Sequence, residues 1–70
     1  MPDTRRRVIG IRIRETRETA GLTQERLAEL VDVDRKTINR IEHATSDPPL
    51  SLLIGIADAL GVPLSALVRQ

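Results

Sequence analysis

The 70-residue chain contains no cysteine, so neither a disulfide framework nor a thiolate metal site can support it. A cytosolic, cytoplasmic location is the default expectation for such a chain. Phe, Tyr and Trp are also absent. That excludes the aromatic platforms on which single-strand binders stack bases, and it leaves Leu, Ile, Val and Ala to build the core. No apolar run approaches the length of a membrane span. None follows the N-terminal arginines as a signal peptide would require, so no membrane partner is expected. His43 is the only histidine, and one histidine cannot make a metal site. There is no glycine-rich phosphate loop, and so short a chain leaves little room for a substrate cleft. Glu15 with Glu18, and Glu25 with Glu29, put carboxylates on single helix faces, but neighbouring arginines account for them as surface ion pairs. The expectation is therefore no enzyme, no cofactor and no metal, in one domain with a small core.

Charge is present in both signs. The net value is +1, which alone says little about partners. Ten of the eleven basic residues precede Ala44, against eight of the ten acidic ones. A normally solvated surface would account for this mild asymmetry equally well. Arg outnumbers Lys ten to one. This favours forked recognition of phosphate or guanine, although codon bias in a GC-rich genome would produce the same excess.

Helical periodicity organises the rest. Residues 1–6 form a basic arm, with Arg5, Arg6 and Arg7 either solvated or reaching a phosphate or the minor groove. The domain occupies residues 7–70. From about Arg7 to Ala20 the spacing predicts a first helix with Ile9, Ile13, Thr16 and Ala20 inward, stopped by Gly21. Thr23 and Asp34 are expected caps for helices over about Gln24–Val31 and Arg35–His43. Only Asp32-Val33 separates these two helices, so the turn is tight and Val33 plugs inward. A loop over 44–48 leads to Pro49, which suits the first turn of a fourth helix ending at Gly61. Leu50, Leu53, Ala57 and Leu60 form its inward stripe. Pro63 opens a short fifth helix with Leu64 and Leu67 facing in. No segment alternates with period two, so no sheet is expected. The fold class is all-α, a compact five-helix bundle.

The stretch Leu22–Glu42, LTQERLAELVDVDRKTINRIE, carries the functional signal. Its two short helices cross at a tight turn, and the outward face of the second carries Arg35, Lys36, Asn39 and Arg40. Those residue types bond to base edges and phosphates in a DNA major groove. A solvated face would use the same residues, but the helix pair around them favours the DNA reading.

The ordered set of Ile13-Arg14, Arg17, Gly21-Leu22-Thr23-Gln24, Leu27-Ala28, Val33, Ile38, Ile41, Glu42 and Ala57-Asp58-Ala59-Leu60-Gly61-Val62 resembles the Cro/CI-type (Xre) helix-turn-helix domains. The likeness spans about residues 8–68. It implies a lambda-repressor-like DNA-binding fold and a transcriptional regulator, with repression the expected mode and a double-stranded DNA operator the partner. It also implies that Gln24 grips a phosphate, with Thr23, Thr37 and His43 as further phosphate contacts. A helix start that favours anions would assist Gln24. His43 could instead serve to end its helix. Arg35, Lys36, Asn39 and Arg40 match positions that read bases or nearby phosphates. Arg17 and Glu42 resemble a largely buried structural ion pair between the first and third helices. The chain departs from the family at Asp32, where glycine is usual in the turn, and at His43-Ala44, where a glycine usually ends the third helix. The third helix is therefore expected to end differently or run longer. Thr16 stands where a larger apolar residue is usual. A homodimer is expected, with apolar residues between Leu50 and Val68 as its seam. The alternative is a protein-interaction module or antitoxin component whose partner is a toxin or another protein.

Overall fold

The computed structural model describes residues 3–69. Its helices are α1 (Asp3–Thr19), α2 (Gln24–Leu30), α3 (Arg35–Glu42), α4 (Leu50–Leu60) and α5 (Leu64–Val68), and no strand occurs among the described residues. No helix among them is long and apolar enough to cross a membrane.

One closure recurs at four helix ends. One or two residues past the helix, the chain takes a left-handed conformation at Gly21 (φ 74°), Asp32 (φ 59°), Ala44 (φ 59°) and Gly61 (φ 71°). At each, a six-residue bond runs back into the helix: Leu22 N to Arg17 O at 3.1 Å, Val33 N to Ala28 O at 3.0 Å, Thr45 N to Arg40 O at 2.9 Å and Val62 N to Ala57 O at 3.0 Å. A second bond, from the left-handed residue to the carbonyl three residues back, accompanies each, which is the Schellman pattern that satisfies orphan carbonyls. Asp32 thus does what glycine would do in the helix-turn-helix. The third helix does not end differently or run on. Ala44 adopts the left-handed state despite its Cβ, and α3 stops at Glu42.

Helix starts are less uniform. Thr23 Oγ1 accepts from Arg26 N at 3.0 Å, as a cap should. Asp34 has the extended backbone of a cap but makes no side-chain cap bond. Pro49 flanks α4 as its cap residue, one position before the first helical residue, Leu50.

The core is aliphatic. Ile13, Leu27, Ile38, Ile56 and Leu67 are fully buried, one from each helix, with Ile9, Ala28, Ile41, Leu53, Ala57 and Leu60 around them. Val33 and Leu64 pack against this cluster as partly buried residues. Two positions expected inward are not. Ala20 is exposed past the end of α1, and Leu50, in the first turn of α4, is 62% exposed. Ile56 occupies the α4 core instead. Thr16 is half-buried. Gly10 allows α1 and α3 to touch backbone to backbone: a Cβ there would lie 2.6 Å from Glu42 O and 2.7 Å from Ile41 O.

The basic arm is the largest departure from expectation. The chain is already helical at Asp3, so Arg5, Arg6 and Arg7 all belong to α1. Arg6 pairs with Asp3 one turn away and with Asp47 of the 44–49 loop at 3.2 Å. These contacts tie the start of α1 to that loop. Met1, Pro2 and Gln70 lie outside the described residues.

Candidate nucleic-acid interface

The site begins with a buried ion pair. Arg17, in the last turn of α1, donates from Nε to Glu42 Oε2 at 2.7 Å and from Nη2 to Glu42 Oε1 at 3.2 Å. The side chains are 10% and 1% exposed. A third bond, Nη1 to Leu22 O at 2.7 Å, ties the guanidinium to the α1–α2 turn. Donating hydrogen bonds to Glu42 raises the Arg17 pKa above its ordinary value, against the opposing effect of burial. The guanidinium therefore stays charged, and the pair anchors the end of α3 to α1.

Gln24 sits at the start of α2, next to this pair. Its Nε2 donates to Glu42 Oε1 at 3.0 Å, and its Oε1 accepts from Asn39 Nδ2 at 3.4 Å. Gln24 is thus not simply projected outward. It is half-buried, with one amide hydrogen left free. Thr23 lies exposed beside it, and its capped hydroxyl still has a hydrogen to donate.

Helical spacing sets the exposed face of α3. Ile38, Ile41 and Glu42 point into the protein. Arg35, Lys36 and Arg40 are exposed, and none forms an ion pair among the described residues. The only acid within α3, Glu42, is buried. This face is therefore uncompensated positive charge, with half-buried Asn39 on the side toward Gln24. Thr37 lies on the other side, where with Arg40, Ser46, Asp47 and Pro48 it lines a cleft of about 200 Å³ against the 44–49 loop. His43 is exposed, and its Nδ1 lies 2.8 Å from Asn39 O, to which it donates. The neutral ring then offers only an acceptor at Nε2, so it suits a phosphate only when protonated.

The structure thus brings Arg17, Glu42, Gln24 and Asn39 into one connected network beneath Arg35, Lys36 and Arg40. It keeps Thr37 apart from Gln24 and ties Arg6 to Asp3 and Asp47, leaving Arg5 and Arg7 exposed on α1. The bonds from Gln24 to Glu42 and Asn39 were not expected from the sequence. The signal available was polar residues at the facing ends of two crossing helices.

A family model described as Helix-turn-helix matches residues 13–67. The chain belongs to the Cro/CI-type helix-turn-helix family. The relatives it matches bear the names of a repressor and a transcriptional regulator. An immunity repressor protein of Bacillus phage phi105 is 40% identical over 62 residues, covering 89% of this chain and 43% of the repressor. The chain therefore spans less than half the length of that helix-turn-helix relative. An uncharacterized HTH-type transcriptional regulator of Methanothermobacter thermautotrophicus is 53% identical over 49 residues, covering 70% of this chain and 71% of the relative. Among solved structures, the restriction-modification controller protein C.AhdI from Aeromonas hydrophila aligns with a TM-score of 0.86 at 32% identity, covering 89% of this chain and 94% of that one. The P22 c2 repressor, solved in complex with a synthetic operator, aligns with a TM-score of 0.83 at 26% identity and the same coverages, 89% and 94%.

Proposed function

We propose that this chain is a sequence-specific double-stranded DNA-binding regulator, a repressor acting as a homodimer, with α3 lying in the major groove. The observation that carries this reading is the α3 face: Arg35, Lys36 and Arg40 are exposed without an ion-pair partner on a helix anchored by the buried Arg17–Glu42 pair. The similarity to a phage immunity repressor and to a repressor solved on an operator supports the same reading.

In this reading Arg35, Lys36, Asn39 and Arg40 meet base edges. Thr23 and Gln24 donate to backbone phosphate, Gln24 through the amide hydrogen that Glu42 leaves free. His43 adds a phosphate contact when protonated, and Thr37 one on the loop side. Arg5 and Arg7 contribute positive charge from the α1 surface rather than from a trailing arm. The dimer reading rests on exposed Leu50 and Ile54 on α4 and Val68 on α5. Two α3 helices would then enter half-sites about one helical turn, ~34 Å, apart.

The test is a titration of variants against a duplex selected from a random library, its single-base variants and random-sequence duplex. Arg35→Ala, Lys36→Ala or Arg40→Ala should cost ~1–3 kcal/mol and relax preference at one base pair. Gln24→Ala should weaken binding to the selected and random duplexes, because a phosphate contact carries no sequence information directly. Three variants at Arg35, Lys36 and Arg40 without effect on affinity would reject this docking. No duplex bound above random level at low salt would favour the interaction-module reading.

A further inference from the structure

The carboxamide of Gln24 is held at both ends, by Glu42 Oε1 at 3.0 Å and by Asn39 Nδ2 at 3.4 Å. A carboxylate clamped by a guanidinium is ionised and can only accept hydrogen bonds. Glu42 therefore decides which way Gln24 faces, with the NH₂ toward the carboxylate and the oxygen toward Asn39. The Gln24 oxygen is likewise only an acceptor, so Asn39 must turn its own NH₂ toward it. Donor–acceptor polarity passes in this way from the buried Arg17–Glu42 pair to the outer surface of α3. What remains unbonded on the Asn39 side chain is one N–H and the carbonyl oxygen, one donor and one acceptor.

Adenine presents an N7 acceptor beside an N6 donor in the major groove, whereas guanine presents two acceptors, N7 and O6. The groups left on Asn39 match the first pattern and fail the second. We propose that Glu42 is a positioning residue that, through Gln24, sets Asn39 to select adenine over guanine at one operator position. This rests on the DNA-reading role of α3 and adds the base that one of its residues selects.

The experiment measures binding to the library-selected duplex and its single-base variants. Asn39→Ala identifies the position concerned as the one whose preference it relaxes. There the wild-type protein is expected to favour adenine over guanine by roughly 5- to 150-fold in Kd. Gln24→Met cuts the relay without removing either member of the ion pair. It should bring that ratio toward unity while leaving the ratios at positions read by Arg35 and Arg40 unchanged. A role for Gln24 confined to its phosphate contact or to structure would weaken all duplexes and preserve every ratio. Glu42→Gln, whose amide can offer Gln24 either a donor or an acceptor, should lower the same ratio. Should that variant fail to fold, Gln24→Met still decides. In the free protein, the Asn39 side-chain NH₂ protons should exchange with water faster in Gln24→Met than in wild type, by NMR. A guanine preference at the Asn39 position, an unchanged ratio in Gln24→Met, or no position relaxed by Asn39→Ala would overturn the relay while leaving DNA reading by α3 intact. Absence of any preferred duplex would overturn the DNA reading and this proposal with it. Unchanged amide exchange would refute the relay without involving DNA.

Discussion

At the scale of single residues, the Arg17–Glu42 pair links stability to the interface. Its geometry is forked and its surroundings nearly dry. Burying two charges is costly, so the pair need not add net stability over a well-packed apolar couple, but a lone survivor is penalised heavily. Glu42→Ala leaves the Arg17 guanidinium without its counter-ion and leaves Gln24 Nε2 without its acceptor. It should lower unfolding free energy by ~3–5 kcal/mol in urea denaturation, a large share of what a domain this small has. The double variant Arg17→Met, Glu42→Leu should lose clearly less than Glu42→Ala. If the double variant lost as much or more, the cost would lie in packing at these positions rather than in an orphaned charge.

At the scale of elements, much of the fold is legible in the sequence because local chemistry decides it. Gly21 and Gly61 end helices where a left-handed residue is needed, Thr23 caps α2, and helical spacing picks out Ile13, Leu27 and Ile38. What is not legible depends on partners distant in the chain. Residues 3–6 look like part of an arm until Asp47 is found beside Arg6. Leu50 fits the α4 stripe by spacing, yet it lies at the helix start, where no neighbour covers it. The exposure of Arg35, Lys36 and Arg40 is readable from helical spacing, but half-buried Asn39 and the inward hold on Gln24 are not, since both arise where α2 and α3 cross. Ala44 offers a local test of the recurring helix closure. Its left-handed backbone costs an L-residue about 1–2 kcal/mol, and the greater unfolded-state freedom of glycine offsets part of any relief. Ala44→Gly should therefore stabilise by ~0.5–1 kcal/mol, raising Tm by about 2–8 °C in a thermal melt. A lower Tm would mean that the Ala44 methyl makes contacts worth more than the strain.

At the scale of the whole molecule, the positive α3 face and the proposed dimer seam lie on different elements. The uncompensated positive face belongs to α3, while exposed Leu50, Ile54 and Val68 lie on α4 and α5. One α3 reads few base pairs, so a two-fold pair is the economical route to a specific operator. Sedimentation should find a dimer at high concentration or on DNA, and Ile54→Glu should shift it toward monomer. A monomer in both conditions would reject the seam. The central claim is that α3 reads sequence, and its most direct test is the ratio of Kd for random duplex to Kd for the selected duplex, at one fixed salt concentration. For the wild-type protein the account predicts a ratio of about 10³ or more. For the folded triple variant Arg35→Ala, Lys36→Ala, Arg40→Ala it predicts a ratio lower by about tenfold or more, with only the preference set by Asn39 remaining. A triple variant that kept the wild-type ratio, or a wild-type protein with no preference between the duplexes, would contradict it.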